Sequence, residues 1–136
     1  MKKILIIDDH IDVRLSARIV LESHGYTCTE ADHPSVGLTL LKNQQIDLIL
    51  LDMNFTTGFT SGKEGLRWLK KIKKISPSTH VVLMTAYGDV NLAVKAMKEG
   101  ATDFVVKPWD NEALQATVLS AMQNPPLPIG SNSTNS

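Results

Sequence analysis

Two uninterrupted apolar runs, Ile4-Leu5-Ile6-Ile7 and Leu48-Ile49-Leu50-Leu51, constrain this chain more than any other feature, and an aspartate follows each at once. A strand with one wet face alternates apolar and polar residues, so a run with no polar position must be covered on both faces. The stretches between the runs supply that cover. Residues 10–24 show helical spacing, with Ile11, Leu15, Ile19 and Val20 apolar, and Gly25 stands where a helix would stop. Residues 26–30 read as a second strand. Pro34 suits the first turn of a helix reaching about Asn43. The run 47–51 is a third strand, and a polar loop rich in Thr, Gly and Ser occupies 54–63. The pattern then predicts a helix over 64–75 ended before Pro77, a strand over 80–84, a helix over 90–98 closed by Gly100, a strand over 103–106 and a helix over 111–122. Strands alternating with helices imply a parallel sheet with helices on both faces. Right-handed crossovers leave few topologies, and five strands fit a flavodoxin-like (βα)5 doubly wound sheet of order 2-1-3-4-5. Periodicity alone leaves other five-strand orders open.

A length of 136 residues suits one domain with a core of its own. Fourteen basic residues balance fourteen acidic ones, which argues against a surface dominated by nucleic-acid binding. The single Cys28 excludes an internal disulfide and reads as a small buried hydrophobe. No apolar run approaches the ~20 residues of a membrane span, and the first run stops at Asp8-Asp9, so it is not a signal peptide. These features lead to the expectation of a soluble intracellular domain over 1–123. Residues 124–136, with Pro125-Pro126-Leu127-Pro128 and then a small polar tract, read as a linker or flexible tail.

In open α/β sheets, ligands bind at the carboxyl ends of the strands where strand order reverses. That point lies between the first and third strands, which end at Asp8-Asp9 and Asp52. A lone aspartate after a strand is usually a helix cap or a solvated turn residue, and Asp9 could cap the first helix. Three at adjacent strand ends are harder to dismiss. Held close, three carboxylates repel, and a hard divalent cation such as Mg2+ resolves the conflict through oxygen ligands. Thr85 and Lys107 close the fourth and fifth strands. With them the cluster has the parts for acyl phosphate chemistry: a carboxylate nucleophile, a cation for the phosphoryl group and a hydroxyl donor.

The set Asp8-Asp9, Asp52, Thr85-Ala86 and Lys107-Pro108 resembles the receiver domain of two-component response regulators over roughly residues 2–122. The resemblance implies Asp52 as phosphoacceptor, Mg2+ held by Asp8, Asp9, Asp52 and the Asn54 backbone carbonyl, and Lys107 as the amine on the phosphoryl group. It implies Thr85 and Phe104 as switch residues, a cis Lys107–Pro108 bond, and Asn54 and Tyr87 as residues that govern phosphate lifetime. It further implies a sensor histidine kinase as donor and a switching surface made of the fourth helix, fifth strand and fifth helix. Beyond its own phosphorylation and dephosphorylation, no enzyme activity is implied. Residues 84–110 look most like receivers of NtrC-type transcription activators. That likeness implies a transcriptional output through ATPase and DNA-binding domains absent from this chain, a cytoplasmic location, and no direct nucleic-acid or membrane contact by this domain. It leaves room for a homodimer.

One departure is visible. Thr56 stands where receivers usually carry Pro, and the glycine expected after it is Gly65, so the loop after Asp52 is longer than usual by about five residues. Thr56, Thr57, Thr60 and Ser61 read as solvated loop residues. Arg67, Lys70, Lys71, Lys73 and Lys74 read as a solvated helix face around buried Leu66, Leu69 and Ile72. Trp68 and Trp109 read as partly buried packing residues. Two other functions fit the fold less well. A pseudo-receiver would not need Asp8, Asp9, Asp52, Thr85 and Lys107 all present. An aspartate-nucleophile phosphatase would want D-x-D after the first strand, and a flavin protein a phosphate-cradling loop where this chain has acids.

Overall fold

The computed structural model describes residues 2–53, 63–86 and 88–123. Strands and helices alternate as β1 (Lys3–Ile7), α1 (Ile11–Ser23), β2 (Thr27–Ala31), α2 (Pro34–Asn43), β3 (Leu48–Asp52), α3 (Lys63–Ile75), β4 (His80–Ala86), α4 (Val90–Lys98), β5 (Asp103–Lys107) and α5 (Asn111–Gln123). The sheet order is β2-β1-β3-β4-β5 with every pair parallel, which is the order expected from the sequence. Element edges differ by one or two residues, most at β4, which runs through Ala86.

The all-apolar runs divide between two cores because successive side chains of a strand point to opposite faces. Leu5, Ile7, Ile49, Leu51, Val81 and Leu83 face one cluster, with Leu41, Leu69, Ile72, Ala93 and Ala96 from α2, α3 and α4. Ile4, Ile6, Leu48, Leu50, Val82 and Met84 face the other, with Ala17, Val20, Leu21, Leu114 and Val118 from α1 and α5. A fully buried Leu or Ile contributes roughly 1.5–3 kcal/mol, so these central strands anchor the domain. Cys28 is buried in the second cluster, and burial pushes its thiol up to about 11. Gly25 and Gly100 lie just beyond α1 and α4 with φ of 93° and 113°, the left-handed turn that ends a helix with least strain in glycine.

Two sequence readings are corrected. The apolar residues that suggested α1 are mostly on its outer side: Ile11, Leu15 and Ile19 are 66%, 51% and 61% exposed, while Ala17, Val20 and Leu21 are buried. A four-residue repeat thus marked a stripe on the helix other than its core face. The basic run on α3 is not uniformly solvated either, since Lys73 is fully buried. Its amine donates to the carbonyls of Pro77 (3.0 Å) and Thr79 (2.9 Å) in the turn between α3 and β4. Burial lowers the Lys73 pKa. The spacing held the clue: Lys73 lies four residues after Leu69 and seven after Leu66, on the inward stripe.

That turn is fixed further by the Ser76 and Thr79 hydroxyls, 2.6 Å apart, and by the Thr79 hydroxyl donating to the Ile46 carbonyl. Lys73→Ala removes two charge-assisted bonds and leaves a void, so it is expected to destabilise the domain by about 2–4 kcal/mol. Lys73→Met keeps the stem and is expected to cost less. Urea unfolding monitored by circular dichroism measures both, and equal stability of Lys73→Ala and wild type would show that the buried amine is energetically silent.

Candidate functional site

The register of the sheet builds the site. Ile7 pairs with Leu51, so Asp8 and Asp52 fall at the same level, one step beyond that pair. Asp52 pairs with Met84, and Ala86 with Lys107, which brings Thr85 and Lys107 to the same carboxyl edge. A one-residue slip would turn these side chains to the opposite face.

Asp8 and Asp52 are fully buried, and Lys107 bridges them, its Nζ 3.1 Å from Asp8 Oδ2 and 3.0 Å from Asp52 Oδ1. Burial alone would lower the lysine pKa, but the Asp52 and Asp8 carboxylates together raise it above its ordinary value. The ammonium therefore stays charged across the neutral range. The other oxygen of Asp8, Oδ1, accepts the His10 backbone N–H at 2.8 Å, and the His10 ring approaches through Nδ1 at 3.3 Å. The same Nδ1 lies 3.0 Å from Asp9 Oδ1, and Asp9 is 23% exposed. The residue that caps α1 is His10 rather than Asp9, and its side chain makes no capping bond.

The remaining expected residues are placed as follows. Thr85 is fully buried, its hydroxyl donating a long 3.4 Å bond to the Asp89 carbonyl at the start of α4. Phe104 is partly buried against the cluster that contains Ala93 and Ala96. The Lys107–Pro108 bond is cis. Trp109 packs, partly buried, against the α1/α5 core, and Trp68 meets the His33 ring edge-on at 5.6 Å. Asn54, Tyr87, the long loop with Thr56, Thr57, Thr60 and Ser61, and the tail from 124 lie outside the described residues. Gly65 is enclosed: a Cβ there would meet Met53 Sδ at 2.9 Å and the Met53 carbonyl at 3.0 Å. Its small size lets α3 approach the residue that follows Asp52.

Sequence reasoning missed a supporting residue, Arg14. Its Nη1 donates to the Asp8 carbonyl at 2.7 Å and its Nε to Glu30 Oε1 at 2.9 Å. Arg18 reaches the other Glu30 oxygen at 2.8 Å, and hydrogen bonding to Arg18 leads the effects that hold the Glu30 carboxyl below the usual carboxylate range. The pair ties α1 and β2 to the end of β1. Its signal was an arginine one helical turn after His10, with a strand-end glutamate opposite.

An open parallel sheet with buried aspartates and a lysine gathered at its carboxyl edge defines an α/β domain built around an anionic strand-end site. The chain belongs to the response regulator receiver domain family, whose pattern matches residues 4–119, and is homologous to the phosphoacceptor domains of two-component systems. It is similar to the transcriptional regulatory protein ZraR of Escherichia coli strain K12, with 35% identity over 88% of this chain and 26% of ZraR. Sporulation initiation phosphotransferase F of Bacillus subtilis is 30% identical over 96% of this chain and 98% of its own length. The N-terminal signal receiver domain of a two-component response regulator from Bacteroides fragilis superposes with a TM-score of 0.82 at 41% identity, covering 91% of this chain and 98% of that one. NtrX from Brucella abortus superposes equally well, with a TM-score of 0.82 at 28% identity, over 90% of this chain and 27% of NtrX. These relatives agree with the likeness to NtrC-type receivers. The chain spans about a quarter of the length of ZraR.

The donor set fits the divalent cation that the family implies. Two carboxylates, Asp8 and Asp52, meet one lysine ammonium, and Asp8, Asp9 and His10 place ligand atoms within 4.8 Å of one another. Carboxylate oxygens are the ligands a hard dication takes. This balance gives a stability prediction. Lys107→Met leaves two buried carboxylates without their ammonium and is expected to cost about 3–5 kcal/mol at neutral pH. A dication bound beside these carboxylates would replace part of the lost positive charge, so Mg2+ is expected to recover part of the penalty. Urea midpoints at pH 7, with and without Mg2+, are the measurement. A penalty independent of Mg2+ would show that the lysine acts by packing alone.

Proposed function

We propose that this domain is a phosphorylation switch in which Asp52 accepts a phosphoryl group from the phosphohistidine of a sensor histidine kinase. The observation that carries the reading is the Lys107 bridge between the fully buried Asp8 and Asp52 at the carboxyl edge of the sheet. In the transfer, an Asp52 oxygen forms a bond to phosphorus, the histidine N–P bond breaks, and the ring nitrogen keeps the electron pair. Lys107, already within 3.0 Å of Asp52, supplies positive charge to the phosphoryl oxygens. Asp8, Asp9, Asp52 and the Asn54 carbonyl would hold Mg2+, which neutralises charge developing on the phosphoryl group.

Thr85 and Phe104 are the proposed switch pair. Among the described residues the Thr85 hydroxyl makes a long 3.4 Å bond to the Asp89 carbonyl, so the cost of turning to a new anion at Asp52 is small. Its withdrawal from the start of α4 opens room for Phe104 and alters the α4-β5-α5 surface. That surface exposes Val90, Val94 and Met97 on α4 and Leu119 on α5, suited to an output partner or a second copy. The donor would approach over α1. The stripe Ile11, Leu15 and Ile19 is exposed there, beside a groove of about 380 Å³ lined by Asp12, Ser16, Lys107, Pro108 and Trp109. Tyr87 and Asn54 govern phosphate lifetime in this reading, with Tyr87 screening the in-line approach of water. Residues 1–123 form the receiver and 124–136 a linker, in the cytoplasm. No helix among the described residues is long and apolar enough to cross a membrane.

The likeness to the transcriptional regulatory protein ZraR supports a transcriptional output, for which attached ATPase and DNA-binding domains are the proposed route. The match to sporulation initiation phosphotransferase F over 98% of its length favours a second reading, in which the phosphoryl group passes to another protein.

Incubation with acetyl phosphate and Mg2+ is expected to add one phosphoryl group, mapped by mass spectrometry to Asp52 and lost in base. Equal phosphorylation of Asp52→Asn would overturn the assignment. Thr85→Ala is expected to accept phosphate but to show a much smaller amide-shift response in α4 on adding beryllofluoride. A response of wild-type size would remove Thr85 from the switch.

A further inference from the structure

The acidic edge contains one group that the phosphorylation chemistry leaves without a role, the imidazole of His10. We propose that His10 is a ligand of the metal site, through Nδ1, and that it gives this receiver an added affinity for transition-metal dications over Mg2+. The inference rests on the metal site of the preceding section.

The position of the ring is constrained. The His10 backbone N–H donates to Asp8 Oδ1 at 2.8 Å, which anchors the residue to the carboxylate. From that anchor Nδ1 reaches 3.0 Å from Asp9 Oδ1 and 3.3 Å from Asp8 Oδ1. As the residue just before α1 the ring could have capped the helix, yet it makes no capping bond and turns to the acids instead. Among the described residues, Asp8, Asp9 and His10 form the group whose ligand atoms converge within 4.8 Å. A dication among these atoms would meet two carboxylate oxygens and one nitrogen lone pair. It would replace the hydrogen that Nδ1 can share with Asp9, and that proton would move to Nε2 or to solvent.

The mixed donor set changes the selectivity. Carboxylates and carbonyls suit Mg2+, whereas imidazole suits zinc, cobalt, nickel and copper. An all-oxygen site already favours later transition ions to some degree, so the signature of His10 is an additional preference that disappears with the ring. With its side chain 58% exposed, His10 can reorient onto a bound ion without disturbing the core, and its substitution is compatible with folding.

Calorimetric titration of the receiver with Mg2+ and, separately, Zn2+ tests this in wild type, His10→Gln and Asp9→Asn. His10→Gln is expected to weaken Zn2+ binding by about tenfold or more while changing Mg2+ affinity by less than about threefold. In wild type titrated with Co2+, a hyperfine-shifted imidazole N–H resonance is expected in the proton spectrum, and it is absent in His10→Gln. An unchanged ratio of Zn2+ to Mg2+ affinity in His10→Gln overturns the inference. So does Zn2+ binding that survives both substitutions, which would place the ion on His24 or His33. Mg2+ binding that is unaffected by Asp9→Asn is a different failure: it removes the metal site itself, whatever His10 does.

Discussion

A single ammonium, Lys107, lies between two fully buried carboxylates, and the rest of the site depends on it. Removing a carboxylate from water costs several kcal/mol, and two side by side add repulsion. Such a pair survives folding only where the structure supplies compensating charge in a fixed place. The parallel sheet does so by register: Asp8 and Asp52 fall at one level, and Lys107 stands two residues further along the edge, from where its long side chain reaches both. The apolar runs of β1, β3 and β4 hold that register because any slip would move buried side chains onto the wrong face. The hydrophobic core is thus the device that keeps three charged groups within hydrogen-bond distance.

A fully buried lysine, Lys73, does different work at the other end of the sheet. Lys73 donates to carbonyls in the turn that leads into β4, and burial lowers its pKa. Lys107 is partly buried among carboxylates, and its pKa is raised. The two share a residue type and are separated by environment: one closes a turn and fixes where β4 starts, the other balances the charge where the chemistry falls. Between them, Arg14 and Glu30 hold the strand ends of β1 and β2 to α1, so the loop carrying Asp8, Asp9 and His10 is tied on both sides.

Much of this was legible in the sequence. Four-residue apolar runs fit a doubly covered strand, and their alternation with helical segments admits few topologies, of which β2-β1-β3-β4-β5 was the expected one, although periodicity left other orders open. Asp8, Asp9, Asp52, Thr85 and Lys107 were visible as strand-end residues because a strand's end is marked by where its apolar run stops. The side that each helix turns to the sheet was less legible. Ile11, Leu15 and Ile19 resemble a core stripe in spacing, yet α1 buries Ala17, Val20 and Leu21. Composition favours the larger apolar residues for the interior, but the close approach of α1 to the sheet favours a small one at Ala17.

By itself the sequence determined the element order, the parallel sheet and the identity of the groups at its carboxyl edge, since these depend on local periodicity and on short-range signals at strand ends. Tertiary structure alone decided that Lys107 joins Asp8 to Asp52, that Lys73 is buried, that Arg14 holds the Asp8 carbonyl and that the His10 ring turns to the acids. Each of these is a distance between groups set by strand register and helix rotation. Lys107 is 99 residues from Asp8 along the chain and 3.1 Å from it in space, and no local pattern encodes that separation.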